Sequence, residues 1–155
     1  MIKSITLLTS SACNLNCSFC YLHKTPSLIN YDKEVLQAWV DKTYISTVQK
    51  SLIKFNENPL NVNFLQFWGG ETLLHIDKIT ENVQEFYKYF PNINSYLIPT
   101  NWTINIEEFF NFLKELDKYA NPNTDFAVQL SIDGPEEEYA EQGHQVSFDI
   151  YKKNI

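Results

Sequence analysis

Residues 13–20 read Cys13-Asn14-Leu15-Asn16-Cys17-Ser18-Phe19-Cys20, and this loop holds all three cysteines of the chain. It follows an apolar, strand-like run at residues 2–9. The spacing Cys-x3-Cys-x2-Cys lets a single loop wrap three thiolates around one compact centre. Three cysteines crowded into one loop suit a metal centre better than a disulfide framework.

The residues alone leave the nature of that metal centre open. A four-iron cluster bound by three thiolates keeps one iron open to a substrate or cofactor, whereas a structural zinc ion takes four closed ligands. His23 lies close enough along the chain to be a fourth ligand. A non-catalytic Cys3His zinc-binding interaction module is therefore the alternative to a cluster. Three unligated core cysteines are a weaker alternative, because such residues need no regular spacing.

Three further strand-like runs follow the cysteine loop, at residues 62–68, 95–100 and 126–132. They alternate with three helix-like segments, and this alternation predicts a parallel α/β sheet of about four strands. We expect the first helix to start with Asp32 as its N-cap and to bury Leu36, Val40, Val48 and Leu52. The second follows the apolar positions of residues 76–90, and the third starts with a capping box at Asn105 and Glu108.

Polar and glycine-rich residues follow each of the predicted strands. After the cysteine loop come Gly69-Gly70-Glu71, then Thr100-Asn101, then Ser131 and Asp133. The carboxyl ends of parallel strands form one face of an α/β fold, and ligands bind there. The pattern therefore predicts that these residues meet the cysteines in one site.

The cysteine loop resembles the cluster loop of the radical S-adenosylmethionine (SAM) superfamily, which has the form Cys-x3-Cys-x-aromatic-Cys. The resemblance implies that Cys13, Cys17 and Cys20 hold a [4Fe–4S] cluster. It also implies that SAM chelates the fourth iron through its amino and carboxylate groups, and that Phe19 packs near the adenine.

Two further segments resemble motifs of the same superfamily. Gly69-Gly70-Glu71 resembles its Gly-Gly-Glu motif, which implies that backbone and carboxylate receive the methionine ammonium group. Ser131-Ile132-Asp133-Gly134-Pro135 resembles a segment of peptide-modifying, SPASM-type members such as anaerobic sulfatase-maturating enzymes. There Ser131 and Asp133 are expected to contact SAM, as is the pair Thr100-Asn101. The usual Pro after Gly-Gly-Glu is Thr72 here, and no Arg stands at residues 138–144, where relatives have one for the SAM carboxylate.

The resemblance implies a partial (β/α) TIM-like barrel in which residues 1–155 form the N-terminal part of a radical SAM domain. We expect its C-terminal strands, and any domain for auxiliary clusters, to be absent from this sequence. The implied reaction is reductive cleavage of SAM to a 5′-deoxyadenosyl radical, with a peptide or protein as substrate and a flavodoxin- or ferredoxin-type electron donor.

Charge and hydropathy indicate whether the chain binds nucleic acid and whether it spans a membrane. The net charge is −7, which argues against nucleic-acid binding because a groove for phosphates needs clustered Lys and Arg. No segment approaches the roughly 18 apolar residues of a membrane span, so we expect a soluble, cytoplasmic protein.

The apolar strand at residues 126–132 ends the predicted sheet, and its exposed edge predicts self-association or a partner.

Overall fold

Four parallel strands form the sheet of the protein. The computed structural model describes residues 1–20, 22, 27–131, 134–141 and 148–154. In these parts of the chain the strands are β1 (Ser4–Ser10), β2 (Phe64–Gly69), β3 (Ser95–Thr100) and β4 (Asp125–Leu130). They lie side by side in the order β1-β2-β3-β4, and each neighbouring pair is parallel. The predicted parallel α/β sheet is therefore confirmed.

Seven helices accompany the sheet in the described parts of the chain. They are α1 (Ser27–Val40), α2 (Tyr44–Lys54), α3 (Ile76–Glu81), α4 (Val83–Tyr89), α5 (Ile106–Asp117), α6 (Glu136–Glu141) and α7 (Phe148–Asn154). Short 3-10 turns occupy Pro59–Asn61 and Thr72–His75.

The first two predicted helices are each broken in two, so the prediction of one helix at each place was wrong. Between α1 and α2, Lys42 adopts a positive φ of 56°, which an α-helix does not accommodate. Between α3 and α4, the buried side chain of Asn82 donates hydrogen bonds to the carbonyl oxygens of Trp39 (3.1 Å) and Lys78 (2.8 Å). A tertiary contact thus fixes the second break.

One other sequence prediction needs correction. Asp32 lies inside α1 and is not its N-cap. Residues 136–141 form α6, which has three glutamates in its first turn, where the helix dipole favours negative charge.

The third predicted helix matches α5. Asn105 is its N-cap, and its side-chain oxygen accepts a hydrogen bond from the backbone N–H of Glu107 at 3.0 Å. The predicted apolar face is buried at Phe109, Phe112 and Leu116. Local sequence signals were sufficient here because both the cap and the apolar periodicity lie within one segment.

The sheet buries one face far more completely than the other. Along β1, Ile5 and Leu7 are buried whereas Ser4 and Thr6 are exposed, and the same alternation continues through β2 and β3. The buried residues form one core with apolar side chains from α1 to α5. A sheet whose one face is packed against helices is consistent with a partial (β/α) fold, in which the other face lines the interior. None of the helices in the described ranges has the length and hydrophobicity needed to cross a bilayer.

Candidate functional site

A cavity of about 270 Å³ lies at the carboxyl end of the sheet. Its walls include nearly all of the residues that the sequence predicts for the site, namely Cys13, Cys17, Phe19, Cys20, Gly69, Gly70, Thr100, Asn101 and Ser131. The structure therefore brings the cysteine loop together with residues that follow three other strands. Glu71 is not among the residues that line this cavity, and Asp133 and His23 fall outside the described residues.

The cysteine loop is held by hydrogen bonds and by one buried side chain. The backbone N–H of Cys20 donates to the carbonyl oxygen of Cys17 at 3.0 Å, which closes a turn between these two residues. Leu15 is buried and packs against Tyr139 of α6. These contacts fix the loop between the sheet and the C-terminal helices.

The sulfur of Cys13 is the acceptor of two N–H groups. The backbone N–H of Leu15 lies 3.4 Å from Sγ, and the side-chain amide nitrogen of Asn101 lies 3.7 Å from it. Burial raises the pKa of the Cys13 thiol, while these two hydrogen bonds act in the opposite direction. The two N–H donors ease formation of the thiolate, which is the form that binds iron, but burial outweighs them and the pKa of Cys13 stays raised.

The start of the loop is fixed by α1. The carboxylate of Asp32 accepts hydrogen bonds from the backbone N–H of Ser11 at 2.6 Å and from its hydroxyl at 2.8 Å. The sequence pattern predicted Asp32 as a helix cap and gave no sign of this contact, because Ser11 is more than twenty residues away along the chain. Asp32 instead ties the first helix to the residues that precede Cys13.

Gly69 and Gly70 pack directly against the start of the cysteine loop. The backbone N–H of Gly70 donates to the carbonyl oxygen of Ser10 at 2.8 Å. A Cβ atom on Gly69 would lie 2.1 Å from that same oxygen, and one on Gly70 would lie 2.2 Å from the carbonyl oxygen of Ala12. Both positions thus require glycine for the contact between the end of β2 and the loop. Their predicted contact with SAM stays a prediction.

Glu71 is completely buried, and its carboxylate is held by groups of the chain itself. One oxygen accepts from the backbone N–H of Leu73 (3.0 Å) and from the hydroxyl of Thr100 (2.7 Å), and the other accepts from the backbone N–H of Asn101 (2.6 Å). Burial raises the pKa of this carboxyl, and the three hydrogen bonds partly offset that effect. Glu71 therefore links the ends of β2 and β3. Its predicted contact with the methionine ammonium group stays a prediction.

Asn101 lies between Glu71 and the cysteine loop. It is 7% exposed, and its amide also contacts Asn14 and Thr103. Neither of these two residues was singled out by sequence analysis. No local motif marks them, because the contact between Asn14 and Asn101 spans 87 positions.

Phe19 and Ser131 lie at the rim of the cavity. Phe19 is 63% exposed, and the backbone N–H of Ser131 donates to the carbonyl oxygen of Thr100 at 2.9 Å. Among the described residues, no three His, Cys, Asp or Glu side chains already stand in place to hold a single metal ion. Two observations make these residues suitable for a cluster. All three cysteines line one cavity, and two N–H groups are directed at the sulfur of Cys13.

The fold and this cavity define an α/β domain with three cysteines in the wall of one cavity at the end of its sheet. Residues 4–144 match the family described as 4Fe-4S single cluster domain, and the chain belongs to that family. This confirms the predicted [4Fe–4S] cluster as a cofactor.

One relative is the radical SAM cyclopropyl synthase TigE of Paramaledivibacter caminithermalis, which is 31% identical over 145 residues. The similarity covers 86% of this chain but 28% of that protein, so the chain spans less than a third of the relative's length. No solved structure matches the chain significantly. The family and the relative together support a protein of radical SAM type.

Proposed function

We propose that this chain is the cofactor-binding part of a radical SAM enzyme, in which Cys13, Cys17 and Cys20 hold the [4Fe–4S] cluster and SAM occupies the adjoining cavity. The observation that carries the proposal is the shared cavity, whose walls combine the three cysteines with Gly69, Gly70, Thr100 and Ser131. Three protein thiolates leave one iron of a four-iron cluster open to a second cofactor. The name of the relative supports SAM as that cofactor.

The chemistry belongs to the cofactors, and the chain contributes orientation. When bound, a reduced cluster supplies the electron that cleaves SAM into methionine and a 5′-deoxyadenosyl radical, which abstracts hydrogen from a substrate. The cysteine loop holds the cluster at the carboxyl edge of the sheet. Gly69 and Gly70 let β2 approach that loop closely, and Glu71 fixes the end of β3 beside it. Ser131 also lines the cavity.

The substrate and the electron donor are proposed on the sequence resemblance. The segment Ser131-Ile132-Asp133-Gly134-Pro135 resembles that of peptide-modifying radical SAM enzymes, so we propose a peptide or protein substrate. A flavodoxin- or ferredoxin-type protein is the proposed electron donor. We also propose that residues 1–155 form the N-terminal part of a larger radical SAM domain.

The proposal is tested by SAM cleavage. The anaerobically reconstituted chain is incubated with SAM and dithionite, and 5′-deoxyadenosine and methionine are quantified. We expect both products in equal amounts, and none above background for Cys17→Ala. Ser18→Ala is the matched control, because it changes the same loop without removing a predicted ligand, and it should retain cleavage. Equal product from the wild type and Cys17→Ala would contradict the proposal.

A further inference from the structure

Three polar side chains form a closed ring of hydrogen bonds beside Cys13. The side-chain amide of Asn14 donates to the hydroxyl oxygen of Thr103 at 2.7 Å. That hydroxyl donates to the side-chain oxygen of Asn101 at 2.6 Å. The amide nitrogen of Asn101 then donates to the side-chain oxygen of Asn14 at 2.9 Å. The ring joins the cysteine loop to the segment that follows β3.

One backbone group fixes the direction of the whole ring. The backbone N–H of Thr103 lies 3.1 Å from the side-chain oxygen of Asn101. A backbone N–H is only a donor, so the atom of Asn101 that faces it is the oxygen and not the nitrogen. The NH₂ group of Asn101 therefore faces the opposite way, toward Asn14 and Cys13.

The NH₂ group carries two hydrogens, and the structure provides a partner for each. One is used in the ring with Asn14, at 2.9 Å. The other is directed at the sulfur of Cys13, at 3.7 Å. Asn101 is 7% exposed, and the carboxylate of Glu71 anchors its backbone N–H at 2.6 Å. The donor to Cys13 is thus held in place from both its side chain and its backbone.

We propose that Asn101 tunes the reduction potential of the cluster by donating this hydrogen bond to Cys13 Sγ. The inference rests on the proposed function, since it requires a cluster on Cys13. Reduction adds one electron to the cluster from a low-potential donor such as dithionite, and no bond to the protein forms or breaks. An N–H group at a ligating sulfur withdraws electron density from it, which stabilises the reduced state. Loss of the bond makes the cluster harder to reduce.

The test is a redox titration of the reconstituted chain without SAM, followed by the electron paramagnetic resonance signal of the reduced cluster. Omitting SAM separates this role of Asn101 from its predicted contact with SAM. Asn101→Leu removes the donor without adding charge. We expect at least a tenfold fall in the equilibrium constant for adding one electron, which corresponds to about 59 mV toward more negative potential.

A pair of charged variants controls for electrostatics. Asn101→Asp and Asn14→Asp both add one negative charge beside Cys13, but only the first removes the N–H donor to sulfur. We expect Asn101→Asp to lower the potential further than Asn14→Asp does. Thr103→Val keeps both Asn101 and the backbone N–H that orients it, and it should leave the potential near that of the wild type.

Three outcomes would overturn the inference. The first is an unchanged potential in Asn101→Leu, and the second is an equal shift in the two aspartate variants. The third is failure of both Asn101 variants to assemble a cluster that the wild type assembles, since Asn101 would then support the loop and not tune the cluster. Failure of the wild type itself to bind a cluster would instead contradict the proposed function.

Discussion

Replacing Glu71 by Ala should destabilise the chain strongly, even without any cofactor. The carboxylate is completely buried and accepts hydrogen bonds from Leu73, Thr100 and Asn101. Removing it leaves three donors without that partner, and each unsatisfied buried group costs about 1–3 kcal/mol. Entry of water and relief from burying an ionisable group offset part of this cost. We expect a net loss on the order of 2–4 kcal/mol in the free energy of unfolding.

That loss is large enough to measure by urea and thermal unfolding of the metal-free chain. For a chain of this length it corresponds to a fall in Tm of roughly 4–16 °C. Glu81→Ala is the matched control, because Glu81 is an exposed carboxylate on α3 whose partner is Lys78 at 3.6 Å. Exposed ion pairs contribute little, so this control should unfold close to the wild type. If Glu71→Ala unfolded like Glu81→Ala, the buried carboxylate would not brace the ends of β2 and β3.

Three further predictions follow from the same region and from the sheet edge. Because the pKa of Glu71 is raised in the folded state, the stability advantage of the wild type over Glu71→Gln should be largest below the ordinary carboxyl range and shrink as pH rises through the raised pKa. Urea unfolding of both proteins at a series of pH values from about 4 up to neutrality measures it, and an advantage that grows with pH would contradict it. Gly70→Ala should prevent stable folding or cluster assembly, since its Cβ would meet a backbone oxygen at 2.2 Å. Circular dichroism and iron content measure this, and a folded, iron-loaded Gly70→Ala would refute it. The chain should self-associate through β4, which pairs only with β3 among the described strands and leaves Leu130 43% exposed. A concentration-independent monomer in size-exclusion chromatography would count against that interface.

The sheet was predictable because each strand is a local apolar run bounded by turn residues. The third strand was predicted at residues 95–100, and β3 has the same bounds. The breaks between α1 and α2 and between α3 and α4 were less predictable, because the helical spacing of apolar residues continues through both of them. The break at Asn82 depends on a hydrogen bond to the carbonyl oxygen of Trp39, 43 positions away, which no local pattern reveals.

The site shows the same division between local and tertiary information. Topology alone predicted that the residues after the strands would meet, and the cavity brings them together. The direction of each side chain was not predictable. Glu71 follows two glycines at a strand end, which is compatible with facing either a ligand or the protein. Its donors Thr100 and Asn101 are about thirty positions away, and they turn the carboxylate inward.

The most direct test of the account is metal analysis after anaerobic reconstitution with iron and sulfide. We predict a brown, air-sensitive protein with about four irons per chain. Replacing Cys13, Cys17 or Cys20 by Ala should abolish cluster assembly, whereas His23→Ala should leave it intact. Stoichiometric zinc without iron uptake, lost in His23→Ala, would contradict the cluster and establish a Cys3His zinc site instead.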